Sequence, residues 1–199
     1  MSKIVAYKNG ELVEYEILKL VDFYDPILKT PTIPYDFKSV DRTKYLLYTM
    51  MESLEKYEGL GLSANQLGLT ERICAINMGE HIWIMFNPYI IDRGTELSKF
   101  SEGCLSYPGL FVEVPRPNHI KVEFQDAFGK KVEQEFDGLT SVIIQHELDH
   151  LDGILFTDRI SPIKFDQAKR KVKKTLKRMK RATIPTELPN IPVENEGNP

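Results

Sequence analysis

The residues best suited to chemistry lie in one short stretch of the chain, residues 145–153. His146 and His150 are four positions apart, and on a helix such residues lie on the same face, one turn apart. Two histidines at this spacing can bind one metal ion, and Glu147 beside them can move a proton on metal-activated water. The motif indicates a metal-dependent hydrolase. The plainer alternative is a core helix with two hydrogen-bonded histidines.

A catalytic site of this kind needs a third protein ligand, because it holds three protein groups and leaves a position for water. One peptidase motif would supply a histidine six residues after His150, but Phe156 stands there. The glutamates after His150 lie in a proline-rich tail. Cys104 is the better candidate, because a thiolate binds iron or zinc strongly. Its glycine and short polar neighbours predict an accessible loop.

A glycine-rich segment, residues 59–69, partly matches the fingerprint of dinucleotide-binding turns. Its context argues against that function, because a phosphate-binding turn follows a strand and opens a helix, whereas here a predicted helix precedes and a strand follows. The glycines suit a backbone that passes close to a ligand or to another segment. Gln66 then either supplies an amide to that ligand or is a structural residue of a polar turn.

The elements that must position these residues are mixed helices and strands. Apolar spacing predicts a first helix over residues 39–57, with Val40, Leu47, Met50, Met51, Leu54 and Tyr57 on its inner face. The metal-binding helix carries apolar residues before its ligands, and Gly153 is its predicted end. Strands are predicted at 4–7, 12–17, 73–78, 82–86, 89–91, 111–114, 119–124 and 131–136. Turns are predicted at 9–10, 79–80, 87–88 and 127–130.

Composition places the chain among ordinary soluble domains. The 199 residues are 42% hydrophobic and 28% charged, and no apolar run is long enough to span a bilayer. Two cysteines are too few for a disulfide framework, and Cys74 lies in an apolar strand that predicts a core position. These features predict a cytoplasmic protein that does not associate with membranes.

The chain divides into a catalytic domain and a tail. Residues 1–181 form the predicted single domain, which includes an N-terminal hairpin (1–17) and a basic C-terminal helix (163–181). From residue 164 to 181 there are ten Lys or Arg residues against one acid, a pattern of a solvated helix or of a nucleic-acid contact. Residues 182–199, rich in proline, are predicted to be a disordered tail.

Three segments, in their order and spacing, resemble the signature motifs of the peptide deformylase family. They read GLGLSANQ at 59–66, EGCLS at 102–106 and QHELDH at 145–150. The resemblance covers residues 20 to 180, and three separate matches are more specific than one. Two features depart from the family pattern: Ser63 replaces a common alanine, and the N-terminal hairpin precedes the usual start.

The resemblance implies a fold, an activity and a metal. The fold is an α+β body of mostly antiparallel strands around a central metal-binding helix, with an N-terminal helix and a C-terminal basic helix. The activity is removal of the formyl group from the formyl-methionine of nascent polypeptides, with release of formate. The implied ligands are Cys104, His146 and His150. They would bind one Fe²⁺ per chain, for which Zn²⁺, Ni²⁺ or Co²⁺ can substitute.

The resemblance also assigns roles to individual residues. Glu147 would carry the proton, while the Gln66 amide and the Leu105 backbone N–H stabilise the charged formyl oxygen; Glu102 would orient its loop by pairing with Arg116. The implied methionine pocket comprises Leu60, Gly61, Leu139, Val142 and Ile143. The basic helix would contact ribosomal RNA, and the chain is expected to be a monomer. A metallopeptidase and a metal-stabilised binding module remain alternatives.

Overall fold

The structure, a computed structural model, describes the backbone of residues 3–8 and 11–182 and the side chains of residues 17–178. In chain order its strands and α-helices are β1 (Lys3–Lys8), β2 (Glu11–Glu16), α1 (Val40–Lys56), β3 (Gly61–Ser63), β4 (Ile73–Asn77), β5 (Ile82–Arg93), β6 (Leu97–Cys104), β7 (Tyr107–Pro117), β8 (His119–Gln125), β9 (Lys131–Asp137), α2 (Gly138–Leu151) and α3 (Pro162–Ala182). Short 3-10 helices lie at Pro26–Lys29, Ala64–Leu67 and Phe156–Arg159.

A five-stranded sheet in the order β3-β4-β5-β8-β9 separates α1 from α2, and all its pairs are antiparallel. Strand β4 shows why both faces are covered, since successive side chains of a strand point to opposite faces. Ile73 and Ala75 pack against α1, whereas Cys74 and Ile76 pack with residues of α2. All four side chains are fully buried. The predicted core position of Cys74 is confirmed, and so is the α+β fold.

Helix α2 is almost wholly enclosed. Every residue from 141 to 151 except Ile143 is buried. Ile144, Leu148 and Leu151 pack into the core of the sheet. The chain turns out of the helix at Gly153, whose φ is +73° and whose Cα lies so close to Lys29 that an added Cβ would stand 2.8 Å from that residue's carbonyl oxygen. A glycine is therefore required here, and the predicted helix end is confirmed.

Strands β6 and β7 form a separate two-stranded ribbon beside α2. Its register shifts between Gly103 and Cys104, so Cys104 pairs with Tyr107 across a tight reversal. One side of β7 packs on a third apolar cluster that includes Phe23, Leu28, Leu155 and Phe156. Helix α3 joins this cluster through Phe165, Ala168 and Val172. The basic helix is thus attached to the ribbon that carries Cys104.

Helix α1 begins where the sequence predicts, because the Ser39 side chain accepts a hydrogen bond from Arg42 N and caps the first turn. Its buried face is rotated about the helix axis relative to the predicted one. Met50 and Leu54 are buried as expected, but Val40 is exposed and the fully buried Leu46 was not predicted. The inner face also includes Thr43, Thr49 and Ser53, whose small polar side chains conceal it from a hydropathy pattern.

Two predictions about the middle of the chain are wrong. Asn87-Pro88 does not end a strand, because β5 continues from Ile82 to Arg93. Asn87 has a φ of +50° and lies at a register shift opposite β8, and its side chain bonds both the N–H and the carbonyl of Tyr35. Asn87 and Pro88, which predicted a turn, therefore form a β-bulge within one continuous strand. Likewise, the loop predicted around Cys104 is in part a strand, because residues 97–104 form β6.

The N-terminal strands pair antiparallel, with Lys8 opposite Glu11, and the predicted turn at 9–10 lies outside the described residues. The predicted tail, 182–199, falls outside them from residue 183 onward. The predicted turn at 127–130 is confirmed, with Gly129 at a φ of +78°. Within the described part of the chain, no helix has the length and apolarity needed to cross a membrane.

Candidate metal centre and active site

Three buried side chains from two elements converge on one point. Cys104 comes from the end of β6, and His146 and His150 come from one face of α2. One ligand atom from each residue, a sulfur and two ring nitrogens, lies within 4.8 Å of the others. Cys104 Sγ and His150 Nε2 are 3.3 Å apart. The arrangement brings the predicted ligands together although 41 residues lie between Cys104 and His146, since the register shift of β6 turns the thiol toward the helix.

The donor set fits a metal ion. Glu102 Oε2 lies 2.9 Å from His146 Nδ1, which leaves Nε2 of that ring directed away from the carboxylate and without a hydrogen-bond partner among the described residues. A carboxylate on the far nitrogen of a ligating histidine fixes the ring and makes it a better ligand. A thiolate with two imidazoles is the soft donor set that iron and zinc accept.

The metal-free electrostatics support the same assignment. Burial lowers the pKa of His146, but the Cys104 and Glu102 side chains beside its ring outweigh burial and raise that pKa to about 10. Burial holds the pKa of neighbouring His150 well below its usual value. Metal binding would displace any proton from the ligating atoms, because a thiol and an imidazole nitrogen bind a metal in their deprotonated forms.

An arginine anchors the carboxylate that orients His146. Arg116 bonds Glu102 through two nitrogens, at 2.5 and 2.9 Å, and its third nitrogen bonds Asp149 Oδ2 at 2.8 Å. Glu102 and Arg116 are both almost fully buried. Burial raises the pKa of Glu102, yet its bonds to His146 and Arg116 outweigh burial and keep that pKa below its usual value. The Glu102–Arg116 pair expected from the sequence is present.

Glu147 lies beside the ligands in an apolar wall. Burial raises the pKa of its carboxyl to about 7, and Oε2 has no hydrogen-bond partner among the described residues. Gly61 makes room for this side chain, because a Cβ at position 61 would overlap Glu147 Oε1. A carboxyl that titrates near neutrality and has one oxygen without a hydrogen bond suits proton transfer.

The amide of Gln66 has a fixed orientation. Its Oε1 accepts from Ser63 N and lies 2.9 Å from Ser63 Oγ, so its Nε2 faces the metal centre and lies 3.4 Å from Cys104 Sγ. The backbone donor at Ser63 determines which end of the amide is oxygen. The N–H of Leu105, the residue after the cysteine, makes no hydrogen bond with a described residue. Two donors are therefore available near the ligand atoms.

A mostly apolar pocket of about 360 Å³ opens onto this centre. It is lined by all five residues predicted for substrate binding, namely Leu60, Gly61, Leu139, Val142 and Ile143. Eight further lining residues were not predicted as site residues, among them Phe100, Gly103, Pro108 and Phe111. Phe111 pairs with Gly103 across the β6–β7 ribbon, so recognising β6 as a strand would have revealed them.

The structure corrects one expectation about Cys104. Sequence predicts an accessible loop thiol, but only 8% of the residue is exposed. The reversal at 104–107 folds the cysteine under the ribbon and against α2 rather than toward solvent. The other cysteine, Cys74, is also a free thiol, and burial raises its pKa far above the ordinary value. A thiol without access to water or to a cation does not react, so only Cys104 is suited to metal binding.

Comparison with known proteins identifies one family. The family model of polypeptide deformylase matches residues 17–166. A peptide deformylase of Thermotoga sp. strain RQ2 is 39% identical over 142 residues, which cover 71% of this chain and 86% of the relative. Peptide deformylase 2 of Xanthomonas campestris is 37% identical over 166 residues, 81% of this chain and 97% of the relative.

Solved structures agree with the sequence relatives. A crystal structure of peptide deformylase from Thermotoga maritima superposes with a TM-score of 0.71 at 36% identity and covers 74% of this chain and all of the other. Peptide deformylase 1B of Arabidopsis thaliana, solved with an inhibitor, gives a TM-score of 0.73 at 33% identity, with 83% of this chain and 94% of that chain covered.

Proposed function

The chain belongs to the polypeptide deformylase family, and we propose that Cys104, His146 and His150 hold its catalytic metal. It is a metal-dependent hydrolase that removes the N-formyl group from the formyl-methionine of new polypeptides and releases formate. The observation that carries the assignment is the convergence of three buried ligand atoms beside the Glu147 carboxyl, whose Oε2 has no hydrogen-bond partner among the described residues. When bound, the metal supplies a Lewis acid that also activates water.

Glu147 acts as the proton carrier. Its carboxylate takes a proton from the attacking water and passes it to the leaving amine when the formyl carbon–nitrogen bond breaks. A pKa raised by burial to about 7 makes both steps accessible near neutral pH. Gly61, which leaves space for the carboxylate, keeps it beside the ligands.

Gln66 and Leu105 stabilise the reacting oxygen. As the formyl carbon becomes tetrahedral its oxygen gains negative charge, and donors already aimed at that position lower the barrier. The Gln66 amide is held by Ser63, and the Leu105 N–H is uncommitted. The methionine side chain occupies the apolar pocket formed by Leu60, Gly61, Leu139, Val142 and Ile143.

A matched set of peptides tests the activity. Formyl-Met-Ala-Ser should yield formate and free Met-Ala-Ser, whereas acetyl-Met-Ala-Ser and a longer unformylated peptide should remain intact. Cleavage of an internal bond in the longer peptide would instead identify a metallopeptidase. Stoichiometric metal with no release of formate would identify a binding module.

We further propose Fe²⁺ as the resident metal, with Zn²⁺, Ni²⁺ or Co²⁺ able to replace it. Thiolate and imidazole groups bind all four ions, so the ion that occupies the site depends on which ions are available and on whether bound Fe²⁺ is oxidised. Metal analysis of protein purified without oxygen should find iron in the wild type and much less iron in a variant that lacks Cys104. Zinc as the dominant metal under those conditions would contradict the proposal.

The basic face of α3 is proposed to bind ribosomal RNA near the site where substrates emerge, in a cytoplasmic monomer. Phe165, Ala168 and Val172 attach the helix to the body, while its lysines and arginines are mostly exposed on the other side. A positive face that points away from the core suits phosphate contacts. Sedimentation of the purified chain should give one protomer.

Charge reversal on α3 tests the ribosome proposal without removing its packing residues. Lys173→Glu with Lys177→Glu, on one exposed face, should weaken ribosome binding strongly and leave turnover of a short formyl peptide unchanged. Lys44→Glu with Lys130→Glu makes the same charge change elsewhere and should bind as the wild type does. Equal binding by both double variants would contradict the proposal.

A further inference from the structure

A second pocket lies behind α2, on the side away from the metal centre. Its volume is about 390 Å³, and it is lined by Gln145, Leu148 and Asp149 of α2 and by Asp152, which directly follows that helix. The active-site pocket is instead lined by residues 139, 142, 143, 146 and 147 of the same helix. Four arginines surround the second pocket: Arg72, Arg93, Arg116 and Arg159.

Three of these arginines have carboxylate partners and one does not. Arg72 pairs with Asp152 at 2.7 Å, and Arg159 pairs with Asp149. Arg116 pairs with Glu102 and also with Asp149. Arg93 forms neither a hydrogen bond nor an ion pair through its side chain with any described residue, although it lines the same pocket. The cluster therefore holds four guanidinium groups and three carboxylates, and the excess positive charge is at Arg93.

Unused donors remain on two of the paired arginines as well. Arg72 bonds through Nε and Nη1, and Arg159 bonds through Nε and Nη2. The remaining nitrogen of each, Nη2 of Arg72 and Nη1 of Arg159, bonds no described residue. The buried guanidinium of Arg72 is also held over the Tyr89 ring, 4.3 Å from its centroid, so its direction is fixed.

We propose that this pocket binds a phosphate group, with Arg93 as its main charged donor. Guanidinium nitrogens match the oxygen geometry of phosphate, and a concave site with excess positive charge concentrates anions. The pocket that Arg93 lines and the pocket that contains Cys104 and His146 lie on different faces of α2. The phosphate could come from free inorganic phosphate or from an RNA backbone, and both present the same oxygens.

Calorimetric titration tests the site: inorganic phosphate is added to the metal-loaded full-length chain, and the heat of binding is measured. Arg93→Gln should weaken binding by about tenfold or more, because a charge-assisted contact is lost. Arg93→Lys should retain part of the affinity, since the charge stays and the fork is lost. Arg42→Gln, the same change at an exposed arginine of α1, should bind phosphate as the wild type does. Turnover of a formyl peptide should be unchanged in all three variants.

A short RNA duplex presented in the same assay identifies the source of the phosphate. RNA binding that weakens in Arg93→Gln in parallel with phosphate binding would assign the pocket to a nucleic-acid backbone. If Arg93→Gln weakens phosphate binding but leaves RNA binding unchanged, the pocket would be assigned to the free anion. Absence of phosphate binding by the wild type, or equal affinity in wild type and Arg93→Gln, would overturn the proposal.

Discussion

The two faces of α2 treat buried polar groups differently. On the metal face, His146 Nε2 and Glu147 Oε2 have no hydrogen-bond partner among the described residues. On the rear face, Gln145 bonds the carbonyl oxygens of Pro117 and Ser141, and both oxygens of Asp149 bond arginines. Buried polar atoms are nearly always paired in folded proteins, because an unpaired one costs about 1–3 kcal/mol.

The difference shows which face does the work and which face holds the helix in place. Unpaired atoms on the metal face are available to a cation and to substrate, so their cost is offset only when the site is filled. Paired atoms on the rear face are already satisfied and fix the rotation of α2. Substitutions on the metal face should therefore change metal content and turnover, whereas those behind should change mainly orientation and stability.

Cys104→Ala should have the largest effect and abolish both tight metal binding and activity, because two histidines alone leave the centre short of a ligand. Metal analysis and formate release on the same sample check this. Cys74→Ala is the matched control, since it removes the other buried thiol. That variant should keep metal and activity at a cost of about 1 kcal/mol in stability. Full metal content in Cys104→Ala would refute the ligand assignment.

Glu147→Gln should separate metal binding from chemistry on the same face. The amide keeps the shape of the side chain but accepts no proton, so kcat should fall by about 10²- to 10⁴-fold with little change in KM. Metal content should equal that of the wild type. If the variant loses both metal and turnover, Glu147 would be assigned a role in supporting the metal ligands rather than in proton transfer to the substrate.

Glu102→Gln tests the connection between the two faces. The carboxylate that orients His146 also neutralises buried Arg116, so its loss should weaken metal affinity by about 10- to 100-fold and lower stability. Competition with a chelator measures the affinity, and thermal unfolding measures the stability. An unchanged affinity would show that the histidine is oriented by packing alone.

Arg159→Gln should have the smallest effect. This arginine pairs with Asp149 at the rear, but its side chain is 45% exposed and Arg116 still bonds the same carboxylate. Exposed pairs contribute up to about 1 kcal/mol, so a slightly lower unfolding temperature with normal metal affinity is expected. A large loss of metal would mean that the rear face does more than support the helix.

Sequence alone carries different information about the two faces. The histidine spacing and the glutamate between them follow from helical geometry, and the three motifs supplied Cys104 and Gln66. Arg72, Arg93 and Arg159 have no such pattern, because each comes from a different element and they meet only through the tertiary fold. Local signals were misleading where tertiary pairing prevailed, as at Asn87-Pro88, where a bulge keeps one strand continuous.

The burial of Cys104 was unpredictable for a related reason. Glycine and short polar neighbours favour exposure in isolation, but the reversal between β6 and β7 depends on pairing with Tyr107 and on the apolar cluster beneath β7. The prediction of which α1 residues are buried was partly wrong for a different reason. Small polar residues lie on its inner face, and hydropathy does not distinguish them from surface residues.

The origin of the three ligands in two elements has a consequence for folding. Because two lie on α2 and one on the β6–β7 ribbon, a bound ion would close a loop from residue 104 to residue 146, much as a disulfide would. Closing a loop lowers the entropy of the unfolded chain. The ion then acts as a reversible cross-link, and removing it would loosen the ribbon from the helix before it unfolds the sheet.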